Sequence, residues 1–284
     1  MKKHKNLKFV PSHYAQCIDK YEIDLTDDCS VQCCYCSLKN KGNQQADIDD
    51  IPLDIKEKGI YLSPNSDPFS KTARDAAHEV LARFLLEGVP FLIITKNQIP
   101  LETIDLLAKY PSQVYVQISI SRLDDSLNSY IEPGAASAHN RLETIGELTA
   151  AGLRVTPILM PLFPVLDDTP ECLSAIVDAC AKAGAKYLKA AYAIIDSNDT
   201  VQVQKTMKHP LLKKSLAHMT EDVKIHVGGG ITVPKPQRMK LYRQLTEICA
   251  DHGINFQSCP ILDPAVLNAG NVPICATYRK KNKR

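Results

Sequence analysis

Short apolar runs alternate with longer amphipathic segments along the first two thirds of the chain. Six of these runs have strand length and are rich in β-branched and aromatic residues, which fit extended, half-buried backbone. The predicted strands cover residues 21–26, 58–63, 91–95, 114–120, 154–160 and 186–192.

Between the runs, apolar residues recur at helical spacing and the helices have identifiable ends. The segment 73–88 carries one apolar face and stops at a glycine. Asn140 is predicted to cap a helix over 140–152, and Thr169, followed by a proline, to begin a helix over 170–184.

Strands that alternate with helices indicate a parallel sheet, because each parallel return needs a crossover connection. Six βα units are too few for a closed eight-stranded barrel. The predicted fold class is therefore α/β, with a partial (βα)6 TIM-like barrel.

From about residue 195 the pattern changes to a helix near 208–219, a turn at Gly228, Gly229 and Gly230, and a helix over 236–252. We interpret this part as an extension of the barrel and not as a separate domain. The predicted organisation is a basic N-terminal segment (1–19), the partial barrel (20–195) and a C-terminal extension that packs on the barrel and ends in a basic tail (196–284).

The charge is unevenly distributed along the 284 residues, whose formal net charge is +2. Nine of the 34 basic residues lie in 1–8 and 279–284, so the remaining 25 face 32 acidic residues and leave the body at about −7. An acidic body disfavours general nucleic-acid binding. The basic start lacks an apolar core and no segment approaches the ~18 apolar residues of a membrane span. We expect a cytoplasmic protein that does not contact membranes.

Ten cysteines stand out, because Cys29, Cys33, Cys34 and Cys36 fall within eight residues directly after the first predicted strand. Three of them form Cys-x3-Cys-x2-Cys, and soft thiolates this close favour an iron–sulfur cluster. Three cysteine ligands leave one iron of a 4Fe–4S cluster open to a substrate or cofactor. A fourth thiolate would occupy that iron, and the cluster could then only transfer electrons. A non-catalytic zinc module is the alternative from a different class.

The motif and its position resemble the radical S-adenosylmethionine superfamily. The resemblance implies that Cys29, Cys33 and Cys36 hold a 4Fe–4S cluster and that Cys34 is not a ligand. It also implies that S-adenosylmethionine binds the open iron and is cleaved reductively to a 5′-deoxyadenosyl radical, which abstracts hydrogen from a substrate. The electron would come from a donor such as flavodoxin or ferredoxin.

Further motifs are similar to those of the subgroup of spore photoproduct lyase and DNA-repair photolyase-like proteins. They are YLSPNSDPF (61–69), IITK (93–96), SISRLDD (119–125), EPGA…R…AG (132–152) and PILMP (157–161). The resemblance implies cofactor-binding roles for Tyr35, Asn65, Ser66, Lys96, Ser119, Ser121 and Met160.

One departure concerns the loop after the second strand, where spore photoproduct lyases carry a cysteine that returns hydrogen to the product. Residues 63–67 contain none, and this weighs against repair of a thymine lesion. A small-molecule or nucleoside-type substrate is therefore favoured over a DNA pyrimidine lesion. Catalytic candidates are Asp67, Cys259 and Cys275.

The remaining cysteines divide into two groups. Cys172, Cys180 and Cys249 are predicted to pack in the core. Cys259 and Cys275 lie outside helical faces and are candidates for a radical-quenching thiol or, with Cys17 or Cys249, for a second cluster. A single histidine, His226, precedes the glycine turn.

Overall fold

The computed structural model describes residues 10–11, 20–26, 28–36, 51–196, 203, 205–225 and 228–258. The strands are β1 (Val10–Pro11), β2 (Tyr21–Ile23), β3 (Ile60–Leu62), β4 (Phe91–Thr95), β5 (Val114–Ser119), β6 (Arg154–Leu162), β7 (Tyr187–Tyr192), β8 (Ile195–Asp196), β9 (Glu221–Ile225), β10 (Gly228–Thr232) and β11 (Asn255–Gln257). The helices are α1 (Ile55–Lys58), α2 (Arg74–Leu86), α3 (Leu101–Ala108), α4 (Asp125–Ile131), α5 (Ala138–Ala150), α6 (Pro170–Lys182), α7 (Pro210–Leu216) and α8 (Lys235–Asp251).

The main sheet has the strand order β1-β2-β3-β4-β5-β6-β7-β11. Strands β2 to β7 pair in parallel with their neighbours, as the alternating pattern predicts. This confirms the α/β partial barrel. At one edge β1 pairs antiparallel with β2, and at the other β11, after α8, adds a further parallel strand beside β7.

Helix ends follow local chemistry, with one correction to the sequence prediction. Thr169 caps α6 as expected and accepts a hydrogen bond from the Cys172 backbone N–H. Helix α5 begins earlier than predicted, because Ser137 and not Asn140 is its N-cap, with its hydroxyl accepting from the Asn140 N–H.

The predicted glycine turn is also wrong. Gly228–Thr232 form β10, the central strand of a three-stranded antiparallel sheet in the order β8-β10-β9. Glycine disfavours strands in isolation, so composition indicated a turn. Close packing reverses that preference at Gly230, where a Cβ atom would lie 2.7 Å from the Ile195 carbonyl oxygen.

A buried ion pair joins the segment after β5 to the segment after β6. The Arg122 guanidinium, just after β5, donates to both Asp167 carboxylate oxygens, after β6, at 2.9 and 2.8 Å. Asp167 also accepts from the Phe163 N–H at 2.7 Å. Burial raises the pKa of Asp167, since the pair lies away from water. No helix among the described residues is both long and apolar enough to cross a membrane.

Candidate active site

The cysteine loop, residues 28–36, follows β2 and is held against the segment after α4. The Cys34 N–H donates to the Ile131 carbonyl at 2.8 Å, and the Gly134 N–H donates to the Val31 carbonyl at 2.9 Å. A Cβ atom on residue 134 would lie 2.0 Å from the Ser30 carbonyl oxygen. Only glycine therefore permits this approach.

A chain of buried polar groups backs the same loop. The Tyr35 hydroxyl donates to one oxygen of Glu132, and Arg141 donates to the other at 2.8 Å. Burial raises the pKa of Glu132, but the positive charges of Lys96 and Arg141 and the Tyr35 hydrogen bond outweigh it and hold the pKa below its ordinary value. Glu132 is therefore an ionised carboxylate inside the protein.

Asp67 organises the loop after β3. Its carboxylate accepts hydrogen bonds from the Thr95 hydroxyl and the Lys96 N–H, both at 2.7 Å, and from the Phe69 N–H at 3.0 Å. It ties this loop to the end of β4, and its side chain is buried. The structure places this catalytic candidate where it orients Lys96.

Asn65 is fixed in the same loop by Asp24, the residue directly after β2. Its backbone N–H and side-chain amide both donate to the Asp24 carboxylate, at 3.0 and 2.7 Å. Ser63 accepts from the Leu25 N–H at 3.2 Å. The loops after β2 and β3 are therefore interlocked.

A cavity of about 330 Å³ opens at the carboxyl ends of these parallel strands, where α/β barrels place their active sites. All three cysteines of the Cys-x3-Cys-x2-Cys motif line it, whereas Cys34 does not. The other predicted site residues that line it are Tyr35, Asn65, Ser66, Asp67, Lys96 and Met160. The structure thus brings most of the predicted site together.

Two observations bear on what this cavity accepts. The Ser66 hydroxyl is buried on its wall and has no hydrogen-bond partner among the described residues, so it is available to a ligand. Among the described residues no three His, Cys, Asp or Glu side chains converge as the ligands of one metal ion. A cubane cluster needs no such convergence, because each cysteine binds a different iron.

Electrostatics at the cysteines follow from burial. Burial raises the pKa of the Cys33 thiol to about 12 and also raises that of Cys29. Burial lowers the pKa of Lys96, but the nearby Cys33, Glu132 and Asp67 outweigh it and leave the pKa above its ordinary value. A fixed ammonium therefore lies on the cavity wall, suited to a carboxylate ligand.

Ser119 and Ser121 are not among the cavity-lining residues. The Ser119 hydroxyl donates to the Met160 carbonyl at 2.7 Å and both serines are buried. Ser119 thus fixes the backbone of Met160, which does line the cavity. Cofactor contacts by the two serines stay a prediction from the resemblance.

The far wall of the cavity contains residues that sequence reasoning did not single out: Tyr192, Ile194 and Ile195. Strand β10 supports this wall, since the Thr232 hydroxyl donates to the Ala193 carbonyl at 2.8 Å. The Tyr192 hydroxyl donates to Asp168 at 2.8 Å. In the sequence, Gly230 was the residue that could have indicated this wall, because its lack of a side chain lets β10 approach Ile194 and Ile195 closely.

The other cysteines separate by position. Cys180 and Cys249 are fully buried, as predicted. Cys172 is exposed, so its predicted core position is wrong. Eight residues along a helix turn by about 800° about its axis, which is two full turns and a further ~80°. Cys172 therefore points ~80° away from the buried direction of Cys180. Cys17, His226, Cys259 and Cys275 lie outside the described residues.

Comparison with solved structures shows which fold this is. Spore photoproduct lyase complexed with dinucleoside spore photoproduct aligns with a TM-score of 0.68 and 13% identity, over 89% of this chain and 80% of that one. SuiB of Streptococcus suis bound to S-adenosylmethionine aligns with a TM-score of 0.55 and 13% identity, over 87% of this chain and 53% of that one.

Among curated proteins, an uncharacterized protein of Acidianus two-tailed virus is 34% identical over 132 residues, covering 45% of this chain and 44% of the relative. The radical SAM Nalpha-GlyT isomerase of Pseudomonas phage M6 is 20% identical over 253 residues, covering 81% of this chain and 51% of the relative. The chain thus spans about half the length of these curated relatives. No model of a protein family matches the sequence.

The chain therefore has the partial-barrel fold of the radical S-adenosylmethionine enzymes, and the fold that the resemblance implies is confirmed. Within that fold, it is similar to spore photoproduct lyase over most of its length.

Proposed function

We propose that the protein is a radical S-adenosylmethionine enzyme whose cluster is held by Cys29, Cys33 and Cys36. The observation that carries this is that these three thiols, Lys96 and the buried Ser66 hydroxyl line one cavity. Three soft ligands, a cation and a free hydroxyl match the needs of an open 4Fe–4S cluster and an amino-acid-bearing cofactor.

Cys29, Cys33 and Cys36 would hold the cluster, and the chemistry that it would supply there is one-electron reductive cleavage of S-adenosylmethionine, the source of a 5′-deoxyadenosyl radical for hydrogen abstraction. The residues of the chain itself bind the cofactor and orient it. Asp67 orients Lys96, which pairs with the cofactor carboxylate. Ser66 supplies a hydrogen bond to the cofactor, and Met160 supplies an apolar contact with it. The cavity wall at Ile194 and Ile195 excludes water from the reacting atoms.

A small-molecule or nucleoside-type substrate is proposed over a DNA lesion. The body of the chain, with 25 basic against 32 acidic residues, disfavours general nucleic-acid binding. The loop at 63–67 offers Ser63, Asn65, Ser66 and Asp67, and no thiol. The alternative is repair of a pyrimidine lesion, which the spore photoproduct lyase likeness favours; that neighbour was solved with a dinucleoside photoproduct.

Anaerobic reconstitution tests the proposal. We expect about four iron and four sulfide per chain, and 5′-deoxyadenosine that forms only with a one-electron donor such as reduced flavodoxin or ferredoxin. Cys36→Ala should lose both. Cys34→Ala is the matched control from the same loop and should retain both, because Cys34 does not line the cavity.

Two results would contradict the proposal. A chain that takes up zinc without sulfide would be the non-catalytic zinc protein. A chain that binds a cluster but never cleaves the cofactor would be an electron carrier. Salt-sensitive binding of damaged DNA, with lesion turnover, would favour the repair alternative over the small-molecule substrate.

A further inference from the structure

The cysteine loop and the barrel are connected by a continuous chain of buried polar contacts. Arg141 donates through Nε to the Ala136 carbonyl at 2.8 Å and through a terminal nitrogen to the Ser119 carbonyl at 2.9 Å. Its other terminal nitrogen donates to Glu132 at 2.8 Å. Because each of its three nitrogens donates a hydrogen bond, the Arg141 guanidinium is held in one position and is joined to β5 through Ser119.

Glu132 connects the Arg141 side chain to the cysteine motif. One carboxylate oxygen accepts from Arg141, and the other accepts from the Tyr35 hydroxyl. The side chains of Glu132 and Arg141 are each 2% exposed, so water does not compete for these bonds. Charge-assisted hydrogen bonds to an ionised carboxylate are among the strongest that side chains make.

Tyr35 lies between two of the three cavity-lining cysteines, directly before Cys36 and two residues after Cys33. Its ring also contacts Phe163, with the centroids 5.8 Å apart. A residue held at both its ring and its hydroxyl restricts the backbone on either side. The sulfur atoms that flank it are restricted with it.

We propose that Glu132 is a positioning residue for the cysteine loop, which holds Tyr35 by its hydroxyl and thereby fixes the sulfurs of Cys33 and Cys36. The inference rests on the proposed function in that the task of the loop is to bind the cluster. The carboxylate also places a negative charge against the Tyr35 hydroxyl, whose residue directly precedes Cys36. Removal of that charge would make the cluster easier to reduce.

Tyr35→Phe is the cleanest test, because it removes only the hydroxyl and leaves the Phe163 contact and the Glu132–Arg141 pair. In the metal-free protein we expect Cys33 and Cys36 to react with iodoacetamide about tenfold faster, the factor for loss of one such hydrogen bond in an opening equilibrium. After reconstitution, iron affinity should fall about ten- to a hundredfold, as for other groups that orient metal ligands.

Glu132→Gln removes the charge and keeps an amide oxygen that accepts from Tyr35, while its amide nitrogen loses the bond from Arg141. We expect the midpoint potential of the cluster to rise and the electron paramagnetic resonance spectrum of the reduced cluster to change. The matched controls are Tyr187→Phe on β7 and Glu143→Gln on the exposed side of α5. Both should keep wild-type alkylation rates, iron affinity and potential.

The inference is overturned if Tyr35→Phe alkylates at the wild-type rate and keeps wild-type iron affinity. It is also overturned if the two control variants change as much as Tyr35→Phe. Failure of the proposed function is distinguishable: a wild-type chain that takes up no cluster refutes the function, while the alkylation rates of the metal-free proteins still decide the role of Glu132.

Discussion

Gly134→Ala is predicted to displace the cysteine loop without changing any group that could bind a ligand. The new Cβ would lie 2.0 Å from the Ser30 carbonyl oxygen and 2.8 Å from the Val31 Cα. Both neighbours are backbone atoms and cannot rotate away, so the two segments must separate by about 1.5–2 Å to reach an ordinary contact.

The magnitude follows from two losses. Overpacking at a tight contact costs about 1–3 kcal/mol. Separation of the segments also weakens the bond from the Gly134 N–H to the Val31 carbonyl, a loss of about 1 kcal/mol. We expect the free energy of unfolding of the metal-free protein to fall by about 2–4 kcal/mol.

Urea unfolding of the metal-free protein, followed by circular dichroism, measures this change, and iron content after reconstitution reports on the loop itself. Gly146→Ala is the matched control, because its Cβ would meet nothing closer than the Ala183 carbonyl at 3.9 Å. Gly146 lies within α5, so alanine there should stabilise by up to ~1 kcal/mol. Wild-type stability and full iron content in Gly134→Ala would refute the reasoning.

Three further changes test other parts of the site. Asp67→Asn should lower cofactor affinity by loosening Lys96 and cost about 1–3 kcal/mol in unfolding free energy; a loss of turnover with unchanged stability would instead support a catalytic role for Asp67. Asp167→Ala leaves the buried Arg122 charge unpaired and should cost about 3–5 kcal/mol in thermal or urea unfolding, and a loss below 1 kcal/mol would contradict this. Gly230→Ala should push the far cavity wall inward and weaken S-adenosylmethionine binding in calorimetry, and unchanged affinity would show that the wall does not contact the cofactor.

Much of the barrel was predictable because its signals are local. Each parallel strand is buried on both faces, so it reads as a short apolar run, and the helices show their buried face in every turn. The cysteine motif was equally readable, since its three cysteines fall within eight residues. Position after the first strand then located the site at one end of the barrel.

Contacts between distant segments were beyond this reasoning. Tyr35 and Glu132 are 97 positions apart, and nothing in either local pattern indicates that they share a hydrogen bond. The wall at Ile194 and Ile195 depends on β10, whose glycines indicated a turn. Cys172 was misplaced because a spacing of eight approximates a helical repeat without completing one.

The sequence by itself determined the alternation of strands and helices in the barrel, the α/β class and the spacing of the three thiols, because periodicity and spacing act within a few residues along the chain. Only the tertiary structure decided which side chains face the cavity and what supports the cysteine loop. Those outcomes depend on how closely separate segments approach, as at Gly134, where a single Cβ would exclude the packing. Such steric fit is a property of two segments together and is encoded in neither alone.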